Sequence, residues 1–573
     1  MPRKMPRRTS MLFALALAAG LLAPQAQAQG NAGAYLSARV AAAESDYRAA
    51  AAGFARALLS DPANPALLEG LVIAKIGMGD MDAAADVARL LLATGTESQS
   101  GYIALMTAKA QAGDFAGMLQ TADAGQSVGA LFDGLLRAWA ELGTGRMSEA
   151  LAGFDALSQT PGLEAFGLYH KALALASVGD FEGADEILSG RAAGPIQVMR
   201  RGVIAQAQIL SQLERNPDAL ALLDRSFGPG QDPGIDDLRR RLTAGEPLPF
   251  EVARNPTDGI AEVFFTLATA LSGEADDGYT LLFTRAAMHL RPDHVDAIML
   301  TAGLLEGQKQ YELATEAYAM ILPENPAYNA AEIGRAEATR SAGRKEASIE
   351  ILQALTRSHG QLVAVHQALG DALRRDERYA EAIRSYDMAL SLSGEPSREQ
   401  WPLFYSRGIG FERTGDWPRA EADFRMALQL EPDQPQVLNY LGYSFVDRGE
   451  NLDEALAMIE RAVAARPDQG YILDSLAWAL YRMGRVDEAL MPMERASLLE
   501  PLDPIVTDHL GDVYWAVGRV LEARFQWRRA LSFNPAEADA TRIRRKLEIG
   551  LDAVLAEESA AKKPAETAGS DGN

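Results

Sequence analysis

The feature that most constrains this chain is a 34-residue beat. Between Pro504 and Glu537, Leu510, Gly511, Tyr514, Gly518, Ala523, Trp527, Ala530 and Pro535 sit at fixed offsets, and the same unit recurs towards the N-terminus. Residues equivalent to Gly511 are Ala477, Gly442, Gly408, Gly370, Ala336, Ala302 and Ala268, at spacings of 34, 35, 34, 38, 34, 34 and 34. A unit this short cannot bury its own apolar face, so it must stack on its neighbours. The offsets describe two helices: Gly511 and Ala523 are small where the helices cross, Tyr514 and Trp527 fill the space beside the crossing, and Gly518 turns the chain.

This pattern is that of the tetratricopeptide repeat, and the chain resembles that family over nearly all its length after the first 28 residues. Partner alanines on the second helices include Ala489, Ala455, Ala420, Ala382 and Ala314, and closing prolines include Pro501, Pro467, Pro432, Pro326 and Pro292. The N-terminal half keeps the beat more loosely, at Ala38, Val72, Met106, Ala138, Ala172 and Ala207, with turn signals at Gly79-Asp80, Gly113-Asp114, Gly145 and Gly179-Asp180. A generic helical bundle is the alternative for that half. The expected fold is all-α, a right-handed superhelical solenoid of helix-turn-helix repeats. A composition rich in Ala and Leu, at 48% hydrophobic residues, suits stacked helices.

Residues 1–28 read as a signal peptide: Arg3, Lys4, Arg7 and Arg8 precede the apolar run Met11 to Ala23, and Ala26-Gln27-Ala28 closes it. The run is shorter than the roughly 20 residues that span a bilayer, so no membrane span is expected after cleavage. Arg7-Arg8 leaves the choice of export route open. The chain has no cysteine, hence no disulfide, thiolate metal site or lipidated cysteine. The expected location is periplasmic, with peripheral association with the envelope as an option. The net charge of -23 opposes binding to nucleic acid.

The expected organisation is a degenerate repeat array over 29–227, a linker or irregular insertion over 228–260, a second array over 261–537, a capping helix over 538–558 and a disordered tail over 559–573. The interval from Ala207 to Ala268 is 61 residues, and its excess holds Gly228-Pro-Gly, Asp232-Pro-Gly, Pro247, Pro249 and Pro256. Ile235 to Ala244 is a candidate short helix there. The cations Arg542, Arg544, Arg545 and Lys546 are expected to keep the open face of the last module solvated.

No catalytic constellation stands out, and neither a metal site nor a cofactor is expected. The histidines His170, His289, His294, His359, His366 and His509 lack the paired spacing of a zinc helix. His289 and His294 read as polar turn residues. Carboxylates fall in Gly-Asp turns or at helix starts, as in Arg485-Val-Asp-Glu-Ala, where they cap helices or oppose the dipole. An enzyme, such as a hydrolase, would need a compact non-repeat domain, and 228–260 is too short for one.

The first helices of stacked pairs line a concave groove. Over the last four modules that lining comprises Tyr405, Asn439, Tyr443, Tyr471, Asp474, Trp478, Tyr481, Asp508, Asp512 and Trp515, with Glu412, Arg413, Asp447 and Arg482 beside them. Aromatic rings bury large areas at little entropy cost, while Asn and Asp hold peptide backbone or basic side chains. The partner expected is a protein or peptide segment of basic or amide character.

The run Tyr471-Ile-Leu-Asp-Ser-Leu-Ala-Trp-Ala-Leu-Tyr-Arg-Met-Gly, continued by His509-Leu-Gly-Asp-Val-Tyr-Trp, resembles long bacterial envelope tetratricopeptide proteins. These include a lipoprotein adaptor of a carboxyl-terminal processing protease. That resemblance implies a scaffold that delivers substrates to a periplasmic protease or cell-wall enzyme, although the adaptor's lipid-bearing cysteine is missing here. A scaffold for cell-wall or polysaccharide-export assembly shares the same sequence features.

Overall fold

The computed structural model describes residues 32–562 apart from 193, 195–198 and 229–231. The segment read as a signal peptide lies outside the described residues, as do the last eleven, 563–573. Among the described residues the secondary structure is helical, with no strand. The chain divides into two compact units between Leu355 and Thr356.

The first unit pairs α1 (32–43) with α2 (Tyr47–Leu58), α3 (Pro65–Met78) with α4 (Met81–Ala93), and α5 (Gln99–Gln111) with α6 (Phe115–Asp123). Next come α7 (Ala130–Gly143) with α8 (Met147–Ser158), α9 (Glu164–Ser177) with α10 (Phe181–Leu188), and α11 (Arg200–Gln212) with α12 (Asn216–Ser226). A single helix, α13 (Pro233–Thr243), interrupts the alternation. It is followed by α14 (Pro256–Leu271) with α15 (Asp277–Leu290) and α16 (Val295–Gly307) with α17 (Tyr311–Tyr318). The unit closes with α18 (Tyr328–Ser341) and α19 (Lys345–Ser358), within which the divide falls.

The second unit contains α20 (Val363–Arg375) with α21 (Tyr379–Leu392), then α22 (Trp401–Arg413) with α23 (Trp417–Leu430) and α24 (Pro435–Arg448) with α25 (Leu452–Ala465). It continues with α26 (Gly470–Arg482) and α27 (Val486–Leu499), α28 (Pro504–Ala516) and α29 (Val520–Ser532), and two final helices, α30 (Glu537–Ile549) and α31 (Leu551–Lys562).

All the repeat positions equivalent to Gly511 lie on first helices and are buried. The reason is a small-to-large match across each pair. A Cβ at Gly370 would come 2.6 Å from the Tyr386 ring, one at Gly408 2.7 Å from Phe424, and one at Gly511 would meet Trp527 closer still. In each case the aromatic follows sixteen residues after the glycine. The Gly-Asp turns cap as their sequence implies: Asp80, Asp114 and Asp180 accept backbone N–H groups from Ala83, Gly117 and Gly183. In the second unit, arginines at a 34-residue spacing tie the second helices α25, α27 and α29 to the loop that precedes the first helix of the same pair. Arg461 and Arg529 donate to the carbonyls of Pro432 and Pro501, and Arg495 bonds Asp468.

The first unit departs from a simple open array. Its α14 and α15 pack back against α3, α5, α7 and α9, the helices expected to line a concave wall. Phe264 and Phe283 meet Phe132 at 5.3 and 5.9 Å between ring centres, and a Cβ at Gly259 would strike the Trp139 ring. The buried Arg285 guanidinium donates to the Gly77 carbonyl at 3.0 and 3.2 Å, and burial lowers its pKa to about 10. Across the same wall Trp139 donates to His170, which reaches Thr266 at 3.2 Å. The unit also closes on its own start: Tyr47 donates to Gln308 at 2.8 Å and Arg48 pairs with Glu316 at 2.7 Å. One continuous apolar core runs through it from Tyr47 to Ala338.

Three expectations need correction. Of the two histidines read as polar turn residues, His294 sits in the turn and caps α16 by accepting from Ala297, but it is buried 3.4 Å from Glu262, and His289 lies within the last turn of α15 instead. The C-terminal cap is two helices, not one, broken where Gly550 adopts φ +85°, and the second runs on to Lys562. Lys546, expected in solvent, is fully buried.

Candidate functional site

The first helices α22, α24, α26 and α28 present the groove residues at 34- or 35-residue steps, so Tyr405, Asn439, Asp474 and Asp508 occupy one equivalent position. Tyr443, Trp478 and Asp512 occupy the next turn along. The same step carried beyond α28 lands on Arg542 and Lys546 of α30, which therefore continues the wall as a further first helix.

The centre of the site is a stack. The His509 ring lies against Trp478 at 3.9 Å with 11° between planes, and Trp478 lies against Tyr481 at 4.9 Å and 20°. Both oxygens of Asp474 are 3.0–3.1 Å from His509 Nδ1. Burial opposes a charge on this imidazole, yet Asp474, Asp508 and Asp512 outweigh it and raise its pKa. The proton on Nδ1 is thus held towards Asp474, and the ring is fixed beneath the tryptophan.

At the C-terminal end, Lys546 Nζ donates to Asp508 at 2.7 Å and to both Asp512 oxygens at 2.7 and 2.8 Å. Trp527 Nε1 also donates to Asp512, at 2.8 Å. Such a buried ion cluster is held by its pairing, because removing the partner of a desolvated charge is costly. Desolvation, reinforced by Asp512, raises the pKa of Asp508. Trp515 donates to Asp552 of α31, and Arg542 bonds Glu558, so α31 lies beside this end of the groove.

The ten residues expected in the groove divide by environment. Asn439, Asp474, Trp478, Asp508 and Asp512 are buried; Tyr405, Tyr443, Tyr481 and Trp515 are half-buried; Tyr471 is exposed. Tyr405 packs edge-on against Tyr440 at 5.7 Å. Two of these ten carry a buried acceptor without a hydrogen-bond partner among the described residues, Asn439 at Oδ1 and Asp508 at Oδ1. Sequence reasoning passed over His509 and Lys546 as members of the site, although the 34-residue step from Asp512 to Lys546 marks the latter. Among the described residues no group of acidic, histidine or cysteine side chains is arranged to hold a metal, and no helix is long and apolar enough to cross a membrane.

The tetratricopeptide-repeat family profile matches residues 365–400, 405–470 and 444–504. Over 194 residues the chain is 29% identical to a TPR repeat-containing protein of Pseudomonas aeruginosa, an alignment covering 34% of this chain and 32% of that protein. The chain thus spans about a third of the length of that curated relative. Among solved structures, the Cut9–Hcn1 hetero-tetramer of the APC/C is 14% identical, with 90% of this chain and 96% of that chain covered and a TM-score of 0.38. A tetratricopeptide repeat protein from Parabacteroides merdae is 16% identical over 44% of this chain and 98% of its own, with a TM-score of 0.37.

Proposed function

We propose that this chain, a tetratricopeptide-repeat protein and a protein-interaction scaffold, holds an extended polypeptide segment along the concave wall of its second unit. The observation that carries this reading is the pair of buried, unpartnered acceptors, Asn439 Oδ1 and Asp508 Oδ1, on the groove helices that flank the Trp478–Tyr481 stack. A buried acceptor without a donor costs about 1–3 kcal/mol, a cost that a bound segment's N–H groups would remove. The stack supplies apolar area next to these acceptors, and the exposed Tyr471 adds a further ring at the start of α26. The carboxylates favour a segment with amide or basic groups over an acidic one.

The finer reading is an exported, periplasmic adaptor that brings substrates to an envelope protease or cell-wall enzyme. Its support is the charged and apolar leader at residues 1–28 together with the resemblance carried by Tyr471–Gly484.

The test is capture from crosslinked envelope extract with the full chain, beside a variant carrying Asn439→Leu and Tyr471→Ala, which touches neither the His509 stack nor the Lys546 cluster. A protease or wall enzyme retained by the wild type and lost by the folded variant is the expected result. Equal recovery by both would remove the groove from the mechanism.

A further inference from the structure

The outer face of the second unit changes character at α27 and α29. The residues these helices turn inward are Ala489, Met493 and Ala496, and Ala523, Trp527 and Ala530. Half a turn away, the outward stripes carry Met491 and Leu498 on α27 and Leu521 and Phe525 on α29, each between 62 and 84% exposed. Residues four or seven apart share one side of a helix, and Met491 and Phe525 are one 34-residue step apart. Glu494 of α27 bonds Arg519, at the start of α29, at 2.8 Å, which sets the two stripes side by side. At the same repeat position the preceding modules have Arg384, Ala422 and Ala457, so the apolar face belongs to these two helices and not to the repeat.

Single exposed apolar side chains are ordinary, whereas neighbouring ones on one face mark an interaction surface. At roughly 200 Å² for a large side chain, the four expose about 600 Å², the upper end of what a monomer's largest patch reaches. That is most of the ~800 Å² each partner contributes to a standard interface. Two charges frame the stripes. Asp487 lies one turn before Met491 and Arg528 one turn after Phe525; both are exposed, and neither has an ionic partner among the described residues. Nearby Arg495 and Glu522 are by contrast paired within the chain, with Asp468 and Arg519. The patch thus has one free charge of each sign at opposite corners, which makes it complementary to a copy of itself turned about a two-fold axis. Chains that carry a net charge of -23 repel each other elsewhere and meet at least cost where the local charge balances.

We infer that the outer face of α27 and α29 is an interface with a second copy of this chain, packed about a two-fold axis. Met491, Leu498, Leu521 and Phe525 form its centre, and Asp487 of one copy meets Arg528 of the other at each end. The apolar centre supplies the burial and the two ion pairs fix the orientation. This face is carried by second helices, so the interface is independent of the groove that the first helices line.

The test is sedimentation velocity of the full chain over the micromolar range, beside Phe525→Glu, Asp487→Arg, Arg528→Asp and the last two combined. All three positions are exposed, so each variant should keep the wild-type Tm. The wild type should form a dimer, weakened at least about tenfold by Phe525→Glu and less by either charge reversal alone. Combining the two reversals should restore it, since the pair is then re-formed with its signs exchanged. A monomeric wild type, an undiminished dimer in Phe525→Glu, or a combined variant no tighter than the single reversals would each overturn the assignment. A wild type that stays monomeric but co-sediments with phosphatidylglycerol vesicles would replace the second copy with a lipid surface.

Discussion

The two units use the same pair of helices to opposite ends. In the first, the wall formed by α3, α5, α7 and α9 is covered by α14 and α15 of the same chain, through Phe264, Phe283 and Arg285. In the second, the wall of α22, α24, α26 and α28 keeps Tyr471 exposed and leaves buried acceptors at Asn439 and Asp508 without partners. The difference lies in what covers a repeat wall: where the chain supplies the cover itself, as in the first unit, the wall becomes core; the second unit's wall is the one to which the proposed function assigns a partner.

The contrast can be broken most directly at Phe264. It is fully buried between Phe132 and Phe283, so Phe264→Ala should cost the first unit about 3–5 kcal/mol, read from the urea midpoint of that unit. A change below about 1 kcal/mol would mean that α14 is not the element that fills the wall.

Next in size is the Lys546 cluster, the place where the second unit covers its own wall. Asp512→Ala removes two of the three carboxylate contacts of the buried Lys546, leaving it Asp508 alone, and takes away the Trp527 indole's acceptor, and a loss of about 3 kcal/mol is expected. Calorimetry of the variant beside the wild type measures it, and an unchanged second-unit transition would contradict the pairing described.

A third effect has opposite signs in the two units. Burial pushes the His170 imidazole down to about 4, so the unfolded chain takes up a proton near its ordinary value of about 6.5 while the folded first unit does not. The stability this group contributes is present above that value and lost as pH falls, by about 2 kcal/mol between pH 7 and pH 5. His509 is shifted the other way, against the cost of its burial, by Asp474 and its neighbours. Its contribution is fully present below the unfolded value and lost as pH rises through the folded one. Urea titrations from pH 5 to 8 should therefore strengthen the first unit and weaken the second. His170→Gln should reduce the first trend, the remainder belonging to His294, which burial shifts the same way, and His509→Gln should reduce the second, each leaving the other unit's trend; trends of the same sign in both units would refute the assignment.

The smallest effect sharpens the comparison. Asn439 Oδ1 is buried without a partner among the described residues, so Asn439→Leu should change stability by no more than about 1 kcal/mol while weakening partner capture. A large loss of stability would show that Asn439 belongs to the core rather than to a binding wall.

Much of this was legible in the chain as written. The 34-residue beat placed the small crossing residues from Ala38 to Gly511 on first helices, because a helix pair that crosses closely leaves room for a large ring only opposite a small residue. The Gly-Asp pairs announced their turns, because an aspartate at a helix start accepts N–H groups that nothing else satisfies. The expected groove residues were read on the same ground, that one repeat position faces one side of every pair.

What only the tertiary structure decided is which wall is covered, and by what. The sequence of α14, with Ile260, Val263, Phe264 and Leu267 on one face and Ala261, Phe265 and Ala268 beside it, has an apolar arc wide enough to signal burial on more than one side but does not say that α5 and α7 lie against it. Lys546 reads as a surface cation until α30 is seen to bring it 2.7 Å from Asp508 and Asp512. Contacts such as Tyr47 with Gln308, 261 residues apart, arise from the summed curvature of many stacked pairs. Each pair is written locally, and the place where the wall meets another part of the chain is a property of the whole stack.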